Sequence, residues 1–223
     1  PALMVKAWKT AQEGRPGPVV ISLPEDMLYD PVHHSSLSPV IIEKPMPDEA
    51  ALDQLANMIK AAQSPVIIAG GSCWSDDAIT SLEKLAITAD IPVICSFRRQ
   101  RLMNNLSPAY AGDLGLGCNP AILSRIKDSD LVILLGGRMS EIPSQSYSLF
   151  DIPHPQMRFV HIHRDHNELG RVYTPNLSIA SIEDAVIDGL LARLDIVAET
   201  RRINAAHTDF LDWTAPIPEQ PGQ

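Results

Sequence analysis

Three histidines and an aspartate fall within one short stretch, His161-Ile162-His163-Arg164-Asp165-His166. Imidazole is a good ligand for zinc-like divalent metals, and on a strand residues 161 and 163 share a face. No cysteine or glutamate motif lies near enough to complete such a site, and HExxH is absent from the chain. The stronger reading is a strand end that shapes a nucleotide pocket, with Asp165 placed to meet a ribose.

Glycine turns point to the same chemistry. Gly70-Gly71-Ser72 closes one apolar run and Gly136-Gly137-Arg138 closes another. A glycine turn after a strand lets the backbone approach a phosphate at a helix N-terminus. Arg138 would add a guanidinium fork suited to phosphate or carboxylate. Its competing role is a surface ion pair with an acid such as Glu141. The first turn continues Ser72-Cys73-Trp74-Ser75, so it is not GxGxxG, and it reads equally well as a tight turn that binds nothing. A further loop, Gly112-Asp113-Leu114-Gly115-Leu116-Gly117, leads to Asn119-Pro120 and a helix N-terminus, where an anion is favoured. Simple flexibility explains that loop as well. No P-loop GxxxxGK[ST], GxSxG elbow, paired carboxylates or Ser/His/Asp set stands out.

These residues need a scaffold, and the chain supplies one. Residues 65–71, 91–95, 131–137, 159–162 and 177–180 are apolar runs that read as buried strands, with a short sixth at 109–112. Between them lie amphipathic helices. Asp48 is placed to cap a helix with Leu52, Leu55, Ile59 and Ala62 on one face. Ser75 would cap another, with Ile79, Leu82, Ala86 and Ala89 inward. Asn119-Pro120 is a capping residue followed by proline at the first helical position. Ser181 and Asp184 resemble a capping box ahead of Val186, Ile187, Leu190, Leu191 and Leu194. Alternating strands and helices predict an α/β fold: a three-layer, doubly wound parallel sheet of about six strands in the order 3-2-1-4-5-6.

The first 45 or so residues stand outside that alternation. A helix over 2–13, with Leu3, Ala7, Trp8 and Ala11 on one side, is followed by an isolated strand, Val19-Val20-Ile21-Ser22-Leu23-Pro24. This orphan helix–strand cannot make its own core and reads as the end of a preceding domain. Residues 30–47, with His33-His34-Ser35-Ser36, look like a linker. Residues 198–214 read as a last helix (Ile203, Ala206, Phe210, Leu211) before a Pro-rich second linker. The expected division is 1–35, 36–196 and 197–223. A first residue of Pro rather than Met fits a processed chain or a piece of something longer.

Composition excludes several classes. The chain of 223 residues carries 18 Lys+Arg against 27 Asp+Glu, a formal charge of −9, which argues against nucleic acid as a partner. Hydrophobic residues make up 45 %, so a sizeable core can form. The longest apolar runs fall far short of the ~20 residues a membrane helix needs. Cys73, Cys95 and Cys118 are odd in number and far apart, as expected for buried free thiols of a cytoplasmic protein rather than disulfides.

Several motifs together resemble thiamine-diphosphate-dependent enzymes of the acetolactate synthase and pyruvate-oxidase-like group. Gly14-Arg15-Pro16-Gly17-Pro18-Val19-Val20-Ile21-Ser22-Leu23-Pro24-Glu25-Asp26 looks like the GRPGPV signature that closes that family's pyrimidine-binding domain. The runs at 65–71 and 134–138 look like its central domain. His161-Ile162-His163-Arg164-Asp165-His166-Asn167-Glu168-Leu169-Gly170 resembles its HIDxDxxEIG. The resemblance implies the end of the first domain followed by a whole central domain. It implies a parent enzyme that decarboxylates a 2-keto acid and passes the fragment to an acceptor, using thiamine diphosphate and Mg²⁺ held by motifs outside this chain. The fragment alone would then be inactive. Partners would be the catalytic domains of the same polypeptide in a homodimer or tetramer.

Family central domains hold FAD, ADP or nothing, and the residues matching that pocket are Gly70, Gly71, Gly136, Arg138 and Asp165. Two departures weigh against FAD. His163 replaces the first Asp of HIDxD, and Ser181-Ile182 stands where Gly-Asp is common, so an adenine-side acid is missing unless Glu183 or Asp184 shifts in. A pure assembly module is a reading of a different class. A free-standing NAD-dependent oxidoreductase is the alternative, opposed by the missing GxGxxG and the orphan N-terminal segment.

Overall fold

The computed structural model describes residues 2–31, 39–197 and 199–216. The apolar runs become β1 (Pro65–Ala69), β2 (Val93–Ser96), β3 (Tyr110–Leu114), β4 (Leu131–Leu135), β5 (Arg158–His163) and β6 (Leu177–Ala180). They form one six-stranded sheet in the order β3-β2-β1-β4-β5-β6, and every neighbouring pair is parallel. The expected doubly wound order is therefore the one adopted. β1 and β4 are neighbours in register, Ile67 opposite Ile133. From that seam the chain winds outward in both directions.

The helices are α1 (Ala2–Gln12), α2 (Glu49–Ala61), α3 (Asp76–Ala89), α4 (Pro120–Lys127), α5 (Glu183–Leu191) and α6 (Arg201–Thr214). Side chains alternate across a strand, so each apolar run feeds two cores. On one face Ile67, Ile133 and Val160 meet Leu55 of α2, Leu82 of α3 and Ile187 of α5. On the other, Val66, Leu134 and Phe159 meet Ile122 and Ile126 of α4 together with Phe150 and Tyr173. Burying one such Leu or Ile stabilises by roughly 1.5–3 kcal/mol, and these two layers pack the seam from both sides.

Helix α6 covers the β3 edge. Ile203 joins the first core and Ala206 the second. The Phe210 ring meets Tyr110 edge-on at 4.8 Å, and the Tyr110 carbonyl oxygen lies 2.8 Å from His207 Nδ1, which donates to it. An edge that would otherwise offer free backbone groups is thereby shielded.

Local details depart from expectation in several places. Residues 19–24 form no strand: no neighbour among the described residues pairs with them, and an unpaired strand leaves its backbone donors and acceptors to water. Helix α1 forms but buries none of its residues. Asp48 occupies the N-cap of α2 without a side-chain hydrogen bond. Ser75 and Asn119 do cap, accepting from Ala78 N and Ala121 N. The Ser181–Asp184 capping box does not form. The cap position is Ile182, Ser181 Oγ donates to the Ile182 carbonyl, and Asp184 instead accepts from Ser75 Oγ at 2.9 Å. Gly112, Asp113 and Leu114 belong to β3 rather than to a loop. His33-His34-Ser35-Ser36 and the chain after 216 lie outside the described residues.

Candidate functional site at the β1–β4 seam

The glycine turns that follow β1 and β4 interlock. Gly71 has φ +82°, and a Cβ there would stand 2.1 Å from the Gly136 carbonyl oxygen. Gly136 has φ +72°, and its Cβ would meet Glu183 Oε1 at 2.5 Å and the Gly70 carbonyl at 2.9 Å. Only glycine allows both the left-handed backbone and this approach. Gly70 lies beneath: its amide donates to Leu135 O at 2.9 Å, and its carbonyl accepts from Trp74 Nε1 at 2.6 Å. The second turn is anchored by Gly136 N donating to Ile162 O at 2.9 Å.

Above the turns opens a cleft of about 190 Å³ at the carboxyl ends of the strands. Its walls include Arg15, Arg99, Arg138 and Arg164, with His163 and Glu183. Four guanidiniums around one recess give a positive focus in a chain of net charge −9. The Arg164 Nε is buried and has no hydrogen-bond partner among the described residues. A buried donor without an acceptor is costly, so it marks a place where an anionic oxygen fits. Glu183, 2 % exposed, lies on the floor. Burial pushes its carboxyl above the ordinary carboxylate range, with nearby Arg164 opposing.

The structure brings Gly71, Gly136 and Arg138 into the cleft wall, with Gly70 packed under them. Asp165 stands apart from that wall. Its side chain accepts from Asn167 N at 3.0 Å and from Asn167 Nδ2 at 2.9 Å, capping a short 3₁₀ turn. Burial raises its carboxyl, but those hydrogen bonds outweigh the effect and leave it below the ordinary value. Arg138 does not pair with Glu141; its carboxylate partner is Glu168 at 3.6 Å, which the 3₁₀ turn swings beneath it.

His161 and His163 do share a strand face, ring centroids 6.1 Å apart. The His161 Nε2 lies 3.1 Å from the Gly137 carbonyl, and burial pushes its pKa down to about 4. His163 Nδ1 accepts from Asp165 N at 3.0 Å, and burial lowers its pKa too. No group of three metal-ligating side chains occurs among the described residues. Asn119 spends its side chain on its own helix and on the Asp209 carbonyl, so that N-terminus is already served. The three cysteines are free; Cys95 is buried, and burial raises its thiol to about 12.

Arg15, Arg99 and Arg164 were not marked as site residues by their local sequence. Arg15 comes from the N-terminal segment and reaches Glu168 at 3.6 Å. Glu183 does have a signal, an acid one position after the place where the Asp of Gly-Asp is common. Arg164 and Arg99 follow strand ends, a position that becomes informative once the strand order is known.

Fold and cleft together define a doubly wound domain with an arginine-lined recess at its switch point. The chain belongs to the family described as thiamine pyrophosphate enzyme, central domain, whose model matches residues 52–190. Among curated proteins, acetolactate synthase isozyme 1 large subunit of Escherichia coli K12 is 29 % identical over 98 % of this chain and 38 % of its own length. Sulfoacetaldehyde acetyltransferase of Alcaligenes xylosoxydans xylosoxydans is 28 % identical over 87 % of this chain and 32 % of its own. The chain thus spans about a third of the length of these relatives. The crystal structure of benzoylformate decarboxylase from Polynucleobacter necessarius shares the fold, with a TM-score of 0.70, 18 % identity, and coverage of 90 % of this chain and 37 % of that one.

Proposed function

We propose that this chain is the middle portion of an acetolactate-synthase-like enzyme and that its seam cleft holds the diphosphate of an adenine nucleotide, ADP or FAD. In this division residues 1–35 end a pyrimidine-binding domain, 36–196 form the central domain, and 197–223 lead toward a diphosphate-binding domain. The parent decarboxylates a 2-keto acid and transfers the remainder to an acceptor, as a cytoplasmic homodimer or tetramer. Thiamine diphosphate, with Mg²⁺, supplies the electron sink for that chemistry. This chain's part is to place its neighbours and to bind the nucleotide, and alone it is inactive.

The observation that carries the nucleotide reading is the convergence of Arg15, Arg99, Arg138 and Arg164 on two interlocked glycine turns, with Arg164 Nε buried and unpartnered. Gly71 and Gly136 would let the backbone approach the diphosphate, and Arg138 and Arg164 would neutralise it. Glu183 is the acid available to the adenine side. Calorimetry with ADP, FAD, NAD and thiamine diphosphate tests the whole reading. Saturable ADP binding that Arg164→Ala weakens at least tenfold, about 1.4 kcal/mol, is the expected result. Tight NAD binding would revive a dehydrogenase. Thiamine diphosphate binding would overturn the assignment as a middle portion. No binding of any of the four would leave assembly as the chain's role, a reading supported by the uncovered apolar face of α1.

A further inference from the structure

A second cavity, of about 240 Å³, shares Arg138 and Ser140 with the cleft but is otherwise built from different residues. We infer that it is a binding site for a small aromatic monocarboxylate. Leu134 of β4 with Phe159 and His161 of β5 line it from the sheet, and Met139, Tyr147 and Tyr173 line it from the connecting loops.

Size and lining select the body of the ligand. An engineered apolar cavity of roughly 150 Å³ takes up benzene, so this one holds a six-membered ring with a short acid arm. The lining is aromatic: Phe159 and Tyr173 stand 6.2 Å apart between centroids at an interplanar angle of 66°, a geometry that suits edge-to-face contact with a ring. His161 adds no charge at neutral pH, because its burial keeps it deprotonated. The Tyr173 hydroxyl is buried, with the Ser144 side chain close by but no partner at hydrogen-bond geometry among the described residues.

Charge selects the head. Glu168, also on the cavity wall, is a nearly buried carboxylate shared by Arg138 at 3.6 Å, Arg171 at 3.4 Å and Arg15 at 3.6 Å. Among the described residues none of these arginines has another carboxylate partner. Three guanidiniums against one carboxylate leave two positive charges uncompensated, and Arg138 and Arg171 stand on the cavity wall. A single carboxylate is the ligand group that such a surplus recruits.

The backbone gives an independent sign. Gln145, Ser146 and Tyr147 have φ of +52°, +57° and +60° in succession. Each is a costly conformation for a residue with a Cβ. A tight network holds the turn: Ser146 N donates to Glu141 O at 2.7 Å, Tyr147 N to Ser144 Oγ at 3.0 Å, and Leu149 N to Ser144 O at 3.1 Å. Strain maintained so firmly gathers at ligand clamps. Here it sets Tyr147, half exposed, on the cavity wall.

The test is titration of the full chain with phenylacetate in phosphate-free buffer, read by calorimetry and by tyrosine fluorescence. Saturable binding is expected, with phenylacetamide, the uncharged analogue, at least tenfold weaker. Arg171→Ala should weaken phenylacetate at least tenfold, and Val172→Trp, which fills the cavity from its wall, should abolish it. ADP affinity, measured in parallel, should change less than twofold in both variants, which separates this site from the seam cleft. Circular dichroism and melting establish that each variant folds; should Arg171→Ala fail, Arg171→Gln replaces it. Absence of saturable binding in the millimolar range overturns the inference. So does equal affinity for acid and amide, or undiminished binding by Val172→Trp.

Discussion

At the residue scale, the site is defined by positions where one atom decides the outcome. Gly71→Ala would place a methyl 2.1 Å from the Gly136 carbonyl in a left-handed backbone. Backbone strain and the clash together should cost about 3 kcal/mol, visible as an earlier urea midpoint with an unchanged slope. A loss under about 0.5 kcal/mol would show that the two turns do not interlock. His161 makes a prediction about pH. Its folded pKa of about 4 lies below the ordinary 6.5, so the folded state resists protonation that the unfolded chain accepts. Stability is therefore full above pH 6.5 and falls as pH drops from 6.5 toward 4. The loss approaches about 3 kcal/mol, because each pH step of one between those two values is worth about 1.4 kcal/mol. Unfolding free energies of the wild type and His161→Gln across that window should differ in slope, with the variant the flatter. Parallel curves would remove His161 as the cause.

At the element scale, the helices are held by caps, some of them remote. Asp90 ends α3 in a left-handed conformation, φ +51°. Its buried carboxylate accepts from Arg202 N at 3.0 Å and Ile203 N at 2.9 Å, so it caps the start of α6 from across the chain. Arg202 Nε donates to the same carboxylate at 3.1 Å. Asp90→Ala should cost about 3 kcal/mol by uncapping α6 and leaving Arg202 unpaired. Hydrogen exchange should then speed up across α6 and the β3 edge it shields, while α2 and α5 keep their protection. Uniform loss over all helices would contradict a local role. Here the limits of sequence reading are physical. Ser75 and Asn119 were legible as caps because a cap acts within three residues. The Asp90 cap was not, because its partner is more than a hundred residues away. The Ser181–Asp184 box had the right spacing, yet Asp184 was drawn to Ser75 Oγ by packing of α3 against α5.

At the scale of the whole molecule, the chain carries apolar surface that its own core does not use. Leu3, Trp8, Leu23 and Leu28 are 58 %, 62 %, 60 % and 64 % exposed. Exposed apolar surface on this scale is the kind that a partner covers. Self-association through residues 2–29 should follow, with the mass from light scattering rising with concentration and Trp8→Glu with Leu3→Glu suppressing the rise. A strictly monomeric profile of the unsubstituted chain at all concentrations would contradict this. No helix among the described residues is long and apolar enough to cross a membrane.

Sequence alone determined the alternation of strands and helices, the winding order, and the two glycine turns. Each depends on periodicity, capping or backbone freedom within a few neighbouring residues. The N-terminal strand expectation failed for a related reason: β pairing is a property of two segments, and residues 19–24 have only one. Tertiary structure decided the electrostatics. Arg15, Arg99, Arg138 and Arg164 come from four separate loops, and the parallel order that sets β1 beside β4 brings those strand ends to one recess. The same folding turned Asp165 into a cap and put Glu183 under the glycines. A charge's role depends on what surrounds it within a few ångströms, and those surroundings come from residues far away in the chain.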